Sequence, residues 1–185
     1  MAHLTASVEY GVHCLLWLAV AGDAPRSGPD LAAFEGVSPH FMAKVLMKLQ
    51  KGGIVRSVGG VKGGYVLARP PEAITLLEVV DAIEGRKPLF ECQEIRQGCV
   101  LFEGSPPDWV TGSVCSIHVA MLRAEKAMRE SLRAETIADI AQAVQRKAPA
   151  PVTPPVRQWF DDRAAARLPG AARRKRNNTM EAGRD

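Results

Sequence analysis

The sequence contains no run of about 18 or more apolar residues, so nothing in it reads as a membrane span. Its opening, MAHLTASVEYGVHCLLWLAVAG, has an apolar core but no basic segment ahead of it. Glu9 and His13 interrupt that core, and the stretch reads as a folded helix and not a signal peptide. Without an export signal the expected compartment is a reducing cytoplasm, where the four cysteines are thiols or metal ligands and not disulfides. No pair of cysteines is separated by two residues, which disfavours a zinc ribbon or finger and a dithiol oxidoreductase. No Ser, His and Asp stand in a defensible catalytic order, and the chain does not read as an enzyme. Acid is missing altogether from residues 46–70, a stretch that holds six glycines and five Lys or Arg.

What is present suits one folded domain with an appendage: 185 residues, of which 46% are hydrophobic. Charge is unevenly spread. Residues 1–69 carry 7 basic and 4 acidic residues, net +3. Residues 70–146 carry 8 and 12, net −4, and residues 147–185 carry 9 and 4, net +5. A basic module and a basic tail around an acidic segment are the footprint of a polyanion-binding part joined to one that is not; scattered surface charge is the alternative.

Residues 5–21 read as a helix that Thr5 can cap, with Val8, Val12, Leu15, Leu16 and Ala19 at helical spacing and Gly22 as its stop. Residues 28–35 form a short helix with Pro29 at its start. After a break at GVS, a second helix begins with Ser38 as N-cap and Pro39 in its first turn, and ends at Gly52–Gly53. Two short helices around a tight turn make the helix-turn-helix pattern. Ile54, Val55 and Val58 then form one short strand, and Tyr65, Val66 and Leu67 its partner, with GGVKGG as the hairpin tip. These glycines sit between strands, and G-x-x-x-x-G-K-S/T is absent, so a phosphate-binding loop is excluded. The expected class is mainly α with a small β-hairpin: a winged helix-turn-helix followed by a long dimerisation helix.

In that arrangement Ser38, Pro39, His40 and Phe41 open the recognition helix and lie nearest the base edges of a DNA major groove. Phe41 serves equally as core. Lys44 and Lys48 share a face one turn apart and can reach phosphates, while Arg56, Ser57 and Lys62 belong to the wing.

The rest of the chain reads as a helix over 75–84, an irregular segment over 86–112, a long amphipathic helix from Ser113 to about Arg133, and a last helix from Thr136. The long helix lines up Val114, Ile117, Met121, Met128 and Leu132, a stripe for a second copy or for its own domain. Expected domains are therefore 1–85 for DNA binding, 86–112 as a cysteine loop, 113–146 for dimerisation and 147–185 as a disordered basic tail containing ARRKRNN. Cys92, Cys99 and Cys115 are spread over the loop and the next helix, an arrangement open to an iron–sulfur cluster or to incidental thiols. Glu9 and His13 stand four apart on one helix face, either as iron ligands or as a surface pair. His118, three residues after Cys115, is a substitute ligand; Cys14 is core.

VEYGVHCLLWLA, the segment from VSPHFMAKVLMKLQKGG through GGYVLARPPEAITLLEVVDAIEG, and the cysteines beyond it together resemble the Rrf-two family of bacterial transcription regulators. The resemblance covers roughly residues 3–145. It implies a homodimer that binds a palindromic operator in double-stranded DNA. It also implies a redox-, nitric-oxide- or iron-sensing iron–sulfur cluster held by three cysteines and one other ligand. By position Cys92 matches the first family cysteine, Cys115 the last, and Cys99 falls near the middle one. The spacing departs from the family's shorter pattern, and if only two cysteines bind, Glu9 and His13, from the same or the other subunit, would complete a 2Fe–2S site. The alternative is a cluster-free regulator controlled by a protein partner or by thiol oxidation.

Overall fold

The first helix is the one the others enclose. A computed structural model of the chain describes residues 4–148 and 151–167. In it α1 (Ala6–Ala21) buries Val8, Gly11, Cys14, Leu15, Leu16 and Leu18, residues that point to several sides of the helix. Such a helix must be surrounded. Thr5 caps it, and Glu84 ties that cap down by accepting from the Thr5 amide at 3.0 Å and its hydroxyl at 2.6 Å.

The helix-turn-helix forms as its caps dictate. Ser27 caps α2 (Gly28–Phe34), and Ser38 caps α3 (Pro39–Lys51), its hydroxyl accepting from the Phe41 amide at 3.2 Å. One face of α3 is buried through Met42, Val45, Leu46 and Leu49. The wing is an antiparallel pair, β1 (Val55–Val58) with β2 (Gly64–Leu67), in the register Val55 opposite Leu67 and Val58 opposite Gly64. Arg26 adds a third row: its backbone exchanges hydrogen bonds with Tyr65 at 3.0 and 2.8 Å.

Two capping boxes then stand back to back. Thr75 with Glu78 opens α4 (Leu76–Glu84), and Thr136 with Asp139 opens α7 (Ile137–Lys147). The two starts pair through Leu76 N to Glu135 O and Ile137 N to Ile74 O, both 2.9 Å. Between them the chain makes 3-10 turns at Ile95–Gly98 and Val100–Phe102, a single helical turn α5 (Asp108–Thr111), and the long helix α6 (Ser116–Ala134). Arg129 of α6 grips Asp81 of α4 with both terminal nitrogens, at 3.0 and 2.8 Å. This bidentate pair is the main cause that holds the Asp81 carboxyl below its ordinary range.

Two expectations need correction. The long helix starts at Ser116 and not at Ser113, because Cys115 takes the non-helical N-cap position and Ser113 donates its hydroxyl back to Trp109 O at 2.7 Å. Val114 therefore lies before the helix. The segment expected as a disordered tail contains a further helix, α8 (Thr153–Ala166). Pro154 and Pro155 preset its first turn, and Val156, Trp159 and Phe160 recur at helical spacing to meet the core. Phe160 is 1% exposed and stacks among Phe34 and Trp159 at 5.0 and 4.9 Å. The stretch ARRKRNN, like His3, lies outside the described residues.

Replacing Phe160 by Ala is expected to lower unfolding free energy by about 3–5 kcal/mol in a urea titration followed by circular dichroism. A truly disordered tail would show no change.

Candidate nucleic-acid interface and thiol site

On α3 the residues Ser38, Pro39, His40 and Lys44 are exposed at the N-terminal end, and Phe41 is half-buried edge-on to Tyr10 at 5.3 Å. Phe41 thus packs with its own module. Lys48 is turned aside: its ammonium donates to Ile83 O at 2.6 Å, at the end of α4. That carbonyl belongs to a helix C-terminus, which attracts a cation. The expected Lys44–Lys48 pair is therefore split, one lysine facing solvent and the other holding α3 against α4. In the wing Arg56, Ser57 and Lys62 are exposed, whereas Arg69 pairs with Glu78 at 3.0 Å.

The wing glycines answer first to the protein itself. Gly60 has φ of +102°, which only glycine adopts without strain. A Cβ on Gly63 would meet Val58 O at 2.4 Å, and one on Gly64 would meet Arg26 O at 2.3 Å. The hairpin can close, and the Arg26 row can approach, only with glycine at these places.

The cysteine loop delivers a different set of groups to the first turn of α6. Ligand atoms of Cys92, Glu94 and His118 lie within 4.8 Å of one another. The Cys92 thiol donates to the Glu94 carboxylate at 3.5 Å and lies near enough to Cys115 to help lower that thiol's pKa. Cys115 stands at the N-cap of α6, where the nearby backbone N–H groups of His118 and Ile117 lower its thiol pKa although its side chain makes no cap hydrogen bond. For Cys92 the Glu94 backbone N–H favours the thiolate, but partial burial and the Glu94 carboxylate outweigh it and push the thiol up. The two thiols are thus driven apart, one toward thiolate and one toward donor. Arg96 donates to Glu94 at 2.9 Å and to the Ser113 carbonyl, and it is the main cause that keeps the Glu94 carboxyl low. Glu94 sits at φ of 48°, a strained position for a non-glycine residue.

Of the sequence-predicted ligands, Cys92 and Cys115 come together and His118 joins them. Cys99 is half-buried where the two 3-10 turns meet, outside that group. Glu9 and His13 are exposed on α1, His13 tilted against Trp17 at 6.1 Å, and neither enters the group. Glu94 is the member that sequence reasoning misses; its signal is an acid two residues after Cys92 followed by Arg96. Two thiols, an imidazole and a carboxylate make a donor set suited to iron or an iron–sulfur cluster.

Around this group the surface is apolar. On α6 no residue is buried, and Ile117 and Leu122 are 60% and 48% exposed. Ile95, Val100, Leu101 and Trp109 of the loop are exposed as well. Among the described residues no helix is long and apolar enough to cross a membrane.

Residues 4–143 match the family described as "Rrf2: Iron-dependent Transcriptional regulator". The protein named aau3 of Rhizobium meliloti is 33% identical over 140 residues, which is 76% of this chain and 85% of that one. The HTH-type transcriptional regulator NsrR of Geobacillus kaustophilus is 29% identical over 75% of this chain and 89% of its own. The solved structure of CymR, the global cysteine regulator of B. subtilis, superposes with a TM-score of 0.60 at 25% identity, covering 77% of this chain and 98% of that one.

With the metal-free, reduced protein, iodoacetamide is expected to label Cys115 at lower pH than Cys92, because only the thiolate reacts. Its midpoint should fall below the ordinary thiol value of about 8.5. Peptide mass mapping across a pH series reads this; equal midpoints for the two cysteines would contradict the geometry.

Proposed function

The chain belongs to the Rrf2 family of transcriptional regulators, and on that premise we propose that it works as a cytoplasmic homodimer that binds a palindromic operator and senses redox, nitric oxide or iron status through an iron–sulfur cluster, of the 2Fe–2S type. The family is one of DNA-binding regulators and not of enzymes.

The DNA contacts divide by role. The exposed N-terminal end of α3, Ser38 to His40, faces the base edges, while Lys44 with Arg56 and Lys62 of the wing engages phosphates. Lys48 positions α3 from behind and does not contact DNA. Dimerisation is supported by α6, in which no residue is fully buried and which leaves Ile117, Met121 and Leu122 exposed along its length. Two-fold symmetry of the protein then requires two-fold symmetry of the operator.

The sensing reading is carried by one observation: Cys92, Glu94, Cys115 and His118 converge on the N-terminus of α6. These residues would hold the group, and iron supplies sensitivity to oxidants and nitric oxide when it is bound. The N-terminal amides of α6 stabilise the Cys115 thiolate as a ligand, and Arg96 keeps Glu94 ionised and oriented. Glu94 joins the proposed ligands in place of Cys99, and Glu9 and His13 are left to a partner subunit. Because the same residues begin α6, a change in what they hold biases the position of that helix, which Arg129 ties to α4 and Lys48 in turn to α3.

A second reading has its own support in the polarised Cys92–Cys115 pair. The two thiols would lose two hydrogens to hydrogen peroxide, forming a disulfide and leaving two waters, with no cluster involved.

Anaerobic purification with iron and sulfide determination tests the first reading. Bound iron and sulfide are expected, and Cys115→Ala should abolish both. A colourless, iron-free protein that acquires a Cys92–Cys115 disulfide with peroxide would select the second. On the DNA side, Lys44→Ala, Arg56→Ala or Lys62→Ala should each make the salt dependence of binding shallower by about 1 log unit per log unit for each protomer, about 2 for the dimer. Lys48→Ala should leave that slope unchanged while lowering thermal stability.

A further inference from the structure

The helix α8 lies beyond residues 4–143, the part that matches the family, yet its second half is fixed to the helix-turn-helix and the wing. Phe160 is buried against Phe34 of α2. Asp161 pairs with the buried Arg26 at 2.7 Å, and the Arg26 guanidinium stacks over Phe160 at 5.0 Å. Arg26 is also the residue whose backbone pairs with Tyr65 of the wing. Arg163 and Arg167, one turn apart, both donate to Asp30 in the first turn of α2, Arg163 at 2.9 Å. Arg167 donates as well, at 3.3 Å, to the hydroxyl of Ser27, which lies between Arg26 and α2. The end of α8 therefore occupies the corner where α2 meets the wing.

The charges at this corner do not balance. Arg26, Arg163 and Arg167 meet Asp30 and Asp161, three guanidiniums against two carboxylates, net +1. The remaining acid on this stretch, Asp162, accepts from Gln158 at 2.7 Å, back toward the start of α8. Burial is the strongest influence on Asp30 and opposes its charge, yet hydrogen bonds from Arg163, Ser27 and Arg167 hold its carboxyl below the ordinary range. One arginine suffices to neutralise that carboxylate, and the second is surplus. The surplus charge stays at the surface, since the side chains of Arg163 and Arg167 are 46% and 33% exposed. Both guanidiniums are also held. Arg163 lies over the Trp159 ring at 4.8 Å with its Nε on Asp30, and Arg167 spends one terminal nitrogen on Asp30 and Ser27. Among the described residues the other terminal nitrogens make no hydrogen bond. A planar fork fixed along one edge and open along another is preorganised for a phosphate oxygen.

The corner matters because the first helix of a helix-turn-helix crosses the DNA backbone while the second enters the groove. We propose that Arg163 and Arg167 of α8 form a phosphate clamp that grips the DNA backbone beside α2 and the wing, without regard to base sequence. Asp30, Ser27 and Trp159 position the clamp and do not touch DNA. The proposal rests on the DNA-binding reading above and adds to it an element that lies outside the family match. The rival role for the two arginines is a staple that only fastens α8 to α2.

The test uses the full chain and a labelled duplex of mixed sequence, titrated by fluorescence anisotropy across a potassium chloride series. With Arg163 and Arg167 both changed to Gln, the log–log salt slope is expected to be shallower by about 1 for each phosphate no longer neutralised, up to about 2 per protomer. Asp30→Asn breaks the same ion pairs from the other side and leaves both arginines charged. It should keep the slope or steepen it, although its thermal melt falls as that of the Gln pair does. An unchanged slope in the Gln pair would overturn the clamp and leave the winged-helix reading intact. A slope flattened as much by Asp30→Asn as by the Gln pair would overturn it too, in favour of the staple. Where circular dichroism shows that the Gln pair does not fold, Arg167→Gln alone, which leaves Arg163 on Asp30, is read in its place, with about 1 per protomer expected and an unchanged slope again overturning the clamp. If the unaltered chain ignores duplex DNA at low ionic strength, the DNA-binding reading falls and the clamp with it.

Discussion

The fold depends on enclosing α1. A helix that buries Val8, Cys14, Leu15, Leu16 and Leu18 cannot lie on a surface, and every larger feature is a way of covering it. The helices α3 and α4 cover one part, β2 another, and α7 and α8 the remainder. At Gly11 the approach is closest, since a Cβ there would stand 2.4 Å from Ile83 Cδ1 of α4. The recognition helix is thus set by its seat against α1 and α4, and Lys48 closes that seat with a hydrogen bond to α4.

Much of this is legible in the chain because the signals are local. Ser38–Pro39, Thr75 with Glu78, Thr136 with Asp139, and the paired glycines after Lys51 each specify a helix end through a few neighbouring atoms. Where the chain misleads, tertiary partners are involved. Pro and Ala content around 150 resembles a linker, but Val156 and Phe160 meet a hydrophobic gap beside Phe34, and burial outweighs composition. Lys48 has the spacing of a phosphate ligand, yet its ammonium is taken by the carbonyl of Ile83 at the C-terminus of α4.

The thiol site divides the same way. Cys92 and Cys115 are legible as residue types in a loop and at a helix start. That Cys99 falls outside the group and Glu94 inside follows from two 3-10 turns and a left-handed residue, which no periodicity announces. The helix start explains why Cys115 and not Cys92 is the acidic thiol: the amides at the head of α6 serve one and a carboxylate opposes the other.

The long helix is held unevenly. Its second half is clamped to α4 by Arg129 on Asp81 and by the Glu135 carbonyl on Leu76, whereas its first half meets only the cysteine loop, through Glu125 on the Leu89 amide at 3.0 Å and His118 edge-on to Phe90 at 6.1 Å. It is a cantilever. From Ser116 to Arg129 the arm beyond that clamp is about 20 Å long at 1.5 Å per residue. A small push at the cysteine end therefore arrives at the fulcrum as torque on α4, the element against which the DNA-reading helix is braced.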